Sequence, residues 1–116
     1  MIDKKAIKAI KESIKHHETN LNEAIKARGE FERRINFKVD IGNTTIIFSA
    51  GECALCKIYI DESCFRCPLG KLQEGICNFE NTWGKIALAE NRRDFVKAER
   101  AMIRKLKECL RIEEAK

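Results

Sequence analysis

Five of the six cysteines lie between positions 53 and 77, and their spacing constrains the chain more than any other feature. Cys53-Ala54-Leu55-Cys56 is followed, after seven residues, by Cys64-Phe65-Arg66-Cys67-Pro68, and Cys77 comes ten residues after Cys67. A C-x-x-C turn aims two sulfurs at one point. Two such turns complete a tetrahedron with Zn–S bonds of about 2.3 Å. A closed four-thiolate shell has no position for water or substrate, so its task is structural, contributing on the order of 10 kcal/mol to a loop-rich segment. The default ligands are Cys53, Cys56, Cys64 and Cys67. Cys77 is a fifth candidate that can replace one of them, Cys64 first. An iron–sulfur cluster stays open because of the Cys-Pro step, as do a disulfide framework and free core thiols. The N-terminus has no apolar stretch of the secretory type, which favours metal over disulfides and a cytoplasmic protein.

The flanks of the cluster read as helix. Ile7, Ile10, Ile14, His17, Leu21 and Ala24 recur at alternating spacings of three and four, which predicts a helix over residues 3–28 with Asp3 as N-cap and Gly29 closing it. Leu88, Phe95, Ala98, Met102, Leu106 and Cys109 form a second stripe, widened by Val96, Ile103 and Leu110, which predicts a helix over 83–114. So wide an apolar face needs a partner, and the first helix is the obvious one. Cys109 then reads as a buried thiol. Between helix and cluster, Ile35, Phe37, Val39 and Ile41 alternate with polar residues. Gly42-Asn43 then suits a type II′ turn, which predicts a β-hairpin over 35–50. The fold expected from residues 1–116 is a single, mainly α domain. Two long antiparallel helices have the hairpin and a zinc module (51–80) inserted between them. Self-association through the apolar faces is open. No apolar run approaches the ~20 residues of a membrane span.

The residue order also resembles a loose group of small bacteriophage and prophage proteins. Ser13-Ile14-Lys15-His16-His17-Glu18 matches a helix with S-I-x-x-W-E. Cys53-Ala54-Leu55-Cys56-Lys57-Ile58-Tyr59, Cys64-x-x-Cys67-Pro68-Leu69 and the Gly75-Ile76-Cys77 step match its cysteine run. The chain departs from the group in having His17 where Trp is usual, in the 35–50 hairpin, and in Asn81-Thr82-Trp83 where Thr-Pro-Tyr is usual. The group has no settled activity to carry over. The resemblance implies phage origin. With the small size, it implies a non-catalytic binder that docks on a host or anti-phage defence protein in the bacterial cytoplasm.

A second reading comes from charge. The chain carries 23 Lys and Arg against 18 Asp and Glu, a net +5, so distribution matters more than total. Arg93, Lys97, Arg100, Arg104, Lys107 and Arg111 follow 4-3-4-3-4 spacing, one basic face along about 27 Å of helix at ~1.5 Å per residue. Lys4, Lys8, Lys11 and Lys15 do the same on the first helix. Such faces meet phosphates or acidic proteins. The plainer reading is a solvated face, since Glu90, Asp94, Glu99 and Glu108 are interspersed nearby. His17 reads as a packed histidine and His16 as solvent-facing; Trp83 reads as packing near the cysteines. No phosphate-cradling Gly loop, G-x-S-x-G, H-E-x-x-H or persuasive Cys–His pair is present, so no enzyme is expected.

Overall fold

A computed structural model describes residues 4–34, 38–48 and 82–116, with the side chains of 82–84 excepted. Helix α1 spans Lys4–Lys26, strands β1, β2 and β3 span Phe31–Arg34, Lys38–Ile41 and Thr44–Ile47, and helices α2 and α3 span Thr82–Leu88 and Arg92–Glu114. The chain is mainly helical with one small antiparallel sheet, as the two periodicities require.

The long helices run antiparallel. Arg92 at the start of α3 reaches the carbonyl of Ile25 near the end of α1, and Glu99 meets His17. Ala9, Ile10, Ile14 and Ala24 of α1 share one core with Phe95, Ala98, Met102, Leu106 and Cys109 of α3. The buried side of α1 is rotated from the expected stripe. Ile7 and Leu21 are only half-buried, whereas Ala6, Ala9, Ser13 and Asn20 are buried. Small residues let the two backbones approach, and interaxial distance follows the side chains at the contact. Leu88, expected on the second stripe, is 48% exposed.

The end of α1 is closed by side chains. The Arg28 guanidinium donates to the carbonyls of Ile25, Lys26 and Ala27 at 3.0, 3.2 and 3.1 Å, and Arg92 adds a bond to Ile25 at 2.7 Å. Four carbonyls at a helix C-terminus have no partner within the helix, and cations suit the negative end of its dipole. Gly29 then turns the chain at φ 125°. It lies so close to the hairpin that an added Cβ would sit 2.5 Å from the Cα of Gly42. The two glycines thus seat helix against sheet.

The expected turn is present. Ile41 pairs with Thr44 across Gly42-Asn43, and Gly42 has the positive φ of 60° that the first central position of a mirror-image turn demands. Val39 and Ile41 are fully buried and Ile46 is 1% exposed, so the predicted alternation holds where it is described. Ile35, Phe37, Ser49 and Ala50 lie outside the described residues, as does Asp3. The sheet is not a lone hairpin, however. Phe31–Arg34 adds a third strand, in the order β1-β2-β3, with Phe31 opposite Ile41. Only Phe31 on β1 packs inward, its ring tilted 52° to that of Phe95 with centroids 6.0 Å apart. Glu32, Arg33 and Arg34 are exposed. Charges along an edge strand resist pairing with another chain, and they also hide the strand from a search for alternation.

The helix expected over 83–114 is two helices. Asn91 has extended φ and ψ (−150°, 167°) and its side chain accepts from the Asp94 N–H at 2.8 Å, the geometry of an N-cap. Arg33 donates to the Ala87 carbonyl at 2.9 Å, satisfying the end of α2. Ile86 and Ala89 bury the break in the core.

Candidate functional site

α3 carries two polar surfaces. On its buried side, Glu99 is 0% exposed and His17 is 2% exposed. Nδ1 of His17 sits 3.1 and 3.0 Å from Oε1 and Oε2 of Glu99. An ionised carboxylate can only accept, so against ionised Glu99 it is Nδ1 that would carry the hydrogen. His16, half-buried, stacks edge-on against His17 with ring centroids 5.2 Å apart. Asn20 donates to the Ile47 carbonyl at 3.1 Å, tying α1 to β3. Ser13, one turn before His17, is also 0% exposed. Ser, His and Glu are the residue types of an acyl-transfer relay, but a nucleophile must reach substrate. These three are sealed from solvent, so the cluster acts as a seam that fixes how α1, α3 and β3 meet. His17 is packed, as expected. Glu99, expected among the solvated charges, is buried. Its spacing of four residues from Phe95, three from Met102 and seven from Leu106 is the signal that could have placed it there.

On the opposite side of α3, Arg93, Lys97, Arg100, Arg104, Lys107 and Arg111 are all exposed. The helix holds them in one row because its inner side is fixed by Phe95, Ala98, Met102 and Leu106. Among the described residues, Lys107 alone of the six has an acidic neighbour, Glu18, at a loose 3.9 Å. Arg93, Lys97, Arg100 and Arg104 line an open groove of about 750 Å³. Its other walls are Val96, Ile25 at the end of α1, and Arg92, a cation missed by the spacing argument because it belongs to no regular row. Five cations share one concavity, with no carboxylate in its lining among the described residues. Four of the five are guanidinium groups, which bind phosphate in bidentate fashion.

The remaining candidates, Cys53, Cys56, Cys64, Cys67 and Cys77, lie outside the described residues, as does the Trp83 side chain. Cys109 is a buried thiol on α3. Among the described residues no group of three or more His, Cys, Asp or Glu is gathered to hold a metal, and no helix is long and apolar enough to cross a membrane. The chain matches no family model, no curated protein and no solved structure.

Proposed function

We propose that this protein is a non-catalytic binding module that grips the phosphate backbone of duplex nucleic acid with the outer face of α3. The observation that carries this reading is the row of six exposed cations, five of them with no carboxylate partner among the described residues. Duplex DNA presents one negative charge per ~1.7 Å of axis, so a straight row of about 27 Å lies along many phosphates at once. Single strands are held largely by stacking bases on aromatic rings. Among the described residues Phe48 and Phe95 are buried and Phe31 is half-buried, so this face presents no such platform.

The zinc module is part of the proposal: thiolates from Cys53, Cys56, Cys64, Cys67 and Cys77, four at a time, hold a structural Zn²⁺ that ties residues 51–80 to the helices. Elemental analysis of protein purified without chelator is expected to give one zinc per chain; coloured protein containing iron would replace it with a cluster.

The test of binding is a gel shift on a mixed-sequence duplex across a salt series. With five contacts the slope of log K against log[salt] is expected near −4.5, about −0.9 per phosphate. Arg100→Glu with Arg104→Glu should weaken binding at least about 50-fold at ~0.1 M salt, from two lost contacts alone. No shift at low salt overturns the reading. The second reading, docking on an acidic host or defence protein, is favoured by Ile25 and Val96, which give the groove an apolar wall. A stable protein complex that survives at salt concentrations abolishing the duplex shift would select it.

A further inference from the structure

Four more cations belong to α1. Lys4, Lys8, Lys11 and Lys15 are all exposed and, with Ile7 and Glu12, line a shallow groove of about 440 Å³. Their alternating spacing of four and three continues through Glu18, Asn22 and Ile25, so these seven positions form one line along the helix. That line meets the α3 row at two places. The Glu18 carboxylate lies 3.9 Å from Nζ of Lys107, a member of the α3 row. Two turns further along α1, Ile25 walls the groove that Arg93, Lys97, Arg100 and Arg104 share. A line that touches the row twice runs along the same side of the helix pair. The sheet packs instead against the buried side of α1, where Asn20 reaches the Ile47 carbonyl. The rows also match along their length. His17 meets Glu99 and Ile25 meets Arg92, so the antiparallel helices, each rising ~1.5 Å per residue, bring Lys15 level with about residue 101 and Lys4 with about residue 112. The α1 lysines therefore run alongside the stretch of α3 that carries Arg100, Arg104, Lys107 and Arg111.

We propose that one duplex lies across both helices, with one strand along the α3 row and the other along the lysines of α1. The inference rests on the duplex-binding reading above and adds four contacts to the five cations that lack a carboxylate partner. Packed helix axes stand about 8–10 Å apart. Rows that lean outward from such axes approach the ~12 Å width of the major groove, so each row is spaced to face one of the strands that border it. Lysine meets phosphate as a point charge, so the α1 row adds affinity and salt dependence without reading sequence. Glu18 sits where the two lines meet. Its charge engages Lys107 and repels phosphate, which makes it a marker for the footprint.

The experiment is the duplex gel shift across a salt series, made with the full chain and its variants, each checked for folding by circular dichroism. For wild type the two-helix footprint steepens the slope of log K against log[salt] from near −4.5 to about −8, at about −0.9 for each of nine contacts. Lys11→Glu with Lys15→Glu should weaken binding at least about 50-fold at ~0.1 M salt and flatten the slope by about 1.8, from two lost contacts. Glu18→Gln frees Lys107 for one more contact and should tighten binding by up to about eightfold at that salt. Lys11→Glu alone should cost about eightfold, whereas Lys38→Glu, the same charge change placed on the sheet, should cost less than about twofold, since salt screens a distant charge. A wild-type slope near −4.5 that the Lys11→Glu, Lys15→Glu protein reproduces overturns the two-helix footprint and leaves the α3 reading intact. A loss on Lys38→Glu as large as that on Lys11→Glu also overturns it, because net charge would then explain both. Failure of wild-type protein to shift the duplex at low salt overturns the footprint and the α3 reading together.

Discussion

Glu99 and Arg100 are neighbours in the chain, and both are charged, yet one is sealed in the core and the other faces water. Around Glu99 the polar groups are buried: His17, bonded to both its carboxylate oxygens, with Ser13 and Asn20 on the same side of α1 as that histidine. Around Arg100 they are many, exposed and of one sign. The inner seam fixes structure, because a buried polar group is costly unless its partner is in place. The outer row contributes little to folding, because exposed charges are already solvated, and that leaves it available for a partner. A polar residue's neighbours, more than its type, decide whether it holds the fold or serves the function.

The sharpest way to break this contrast is to remove the buried carboxylate. Glu99→Ala deprives His17 of its acceptor and is expected to lower stability by about 3–5 kcal/mol, the cost of splitting a buried pair. In thermal melts that is a drop on the order of 15 °C. His17→Leu combined with Glu99→Leu should recover most of the loss, since replacing both partners by apolar groups is often neutral. A drop no larger than that of Arg100→Ala would sink the seam as a structural device. Asn20→Ala tests the seam's other end. It leaves the Ile47 carbonyl without this donor and should cost about 1–2 kcal/mol in urea unfolding.

On the outer side, Arg100→Ala should change stability by no more than about 0.5 kcal/mol while lowering duplex affinity about eightfold at ~0.1 M salt. The smallest effect belongs to Asp40, on the exposed face of the sheet. The Thr45 hydroxyl donates to it at 2.7 Å and Arg34 at 2.6 Å, and together they hold its carboxyl below the usual carboxylate range. A lowered native pKa gives stability that is present above the ordinary value of about 3.9 and is lost as pH falls through the native one. Wild type should therefore melt slightly above Asp40→Asn near neutral pH, with the gap closing in acid. A gap that widens on acidification would contradict the assignment.

Much of this architecture is legible in the residues. The stripe from Phe95 to Cys109, the Gly42-Asn43 turn and the alternation of Val39 and Ile41 each follow from periodicity or turn chemistry, which act over a few neighbours. The break at Asn91 is less legible. The apolar pattern runs on through Leu88 and Phe95, and only the cap by Asn91, with Arg33 on the Ala87 carbonyl, separates α2 from α3. β1 is hidden because three of its four residues are charged, and its pairing is decided by β2. The six cations of α3 could be placed on one face from spacing alone. Arg92 joins their groove only because α1 ends beside it.

By itself, then, the chain determined the helices, the turn and the basic row, since each depends on contacts three or four residues apart, on a backbone angle that glycine alone adopts readily, or on helical pitch. Tertiary structure decided what lies between distant segments: that Glu99 is drawn inward to His17, that Gly29 must make room for Gly42, and that Phe31 closes over Phe95. These pairings join positions far apart in the chain. Their energy comes from desolvation and close packing, which a linear pattern does not encode until the segments are brought together.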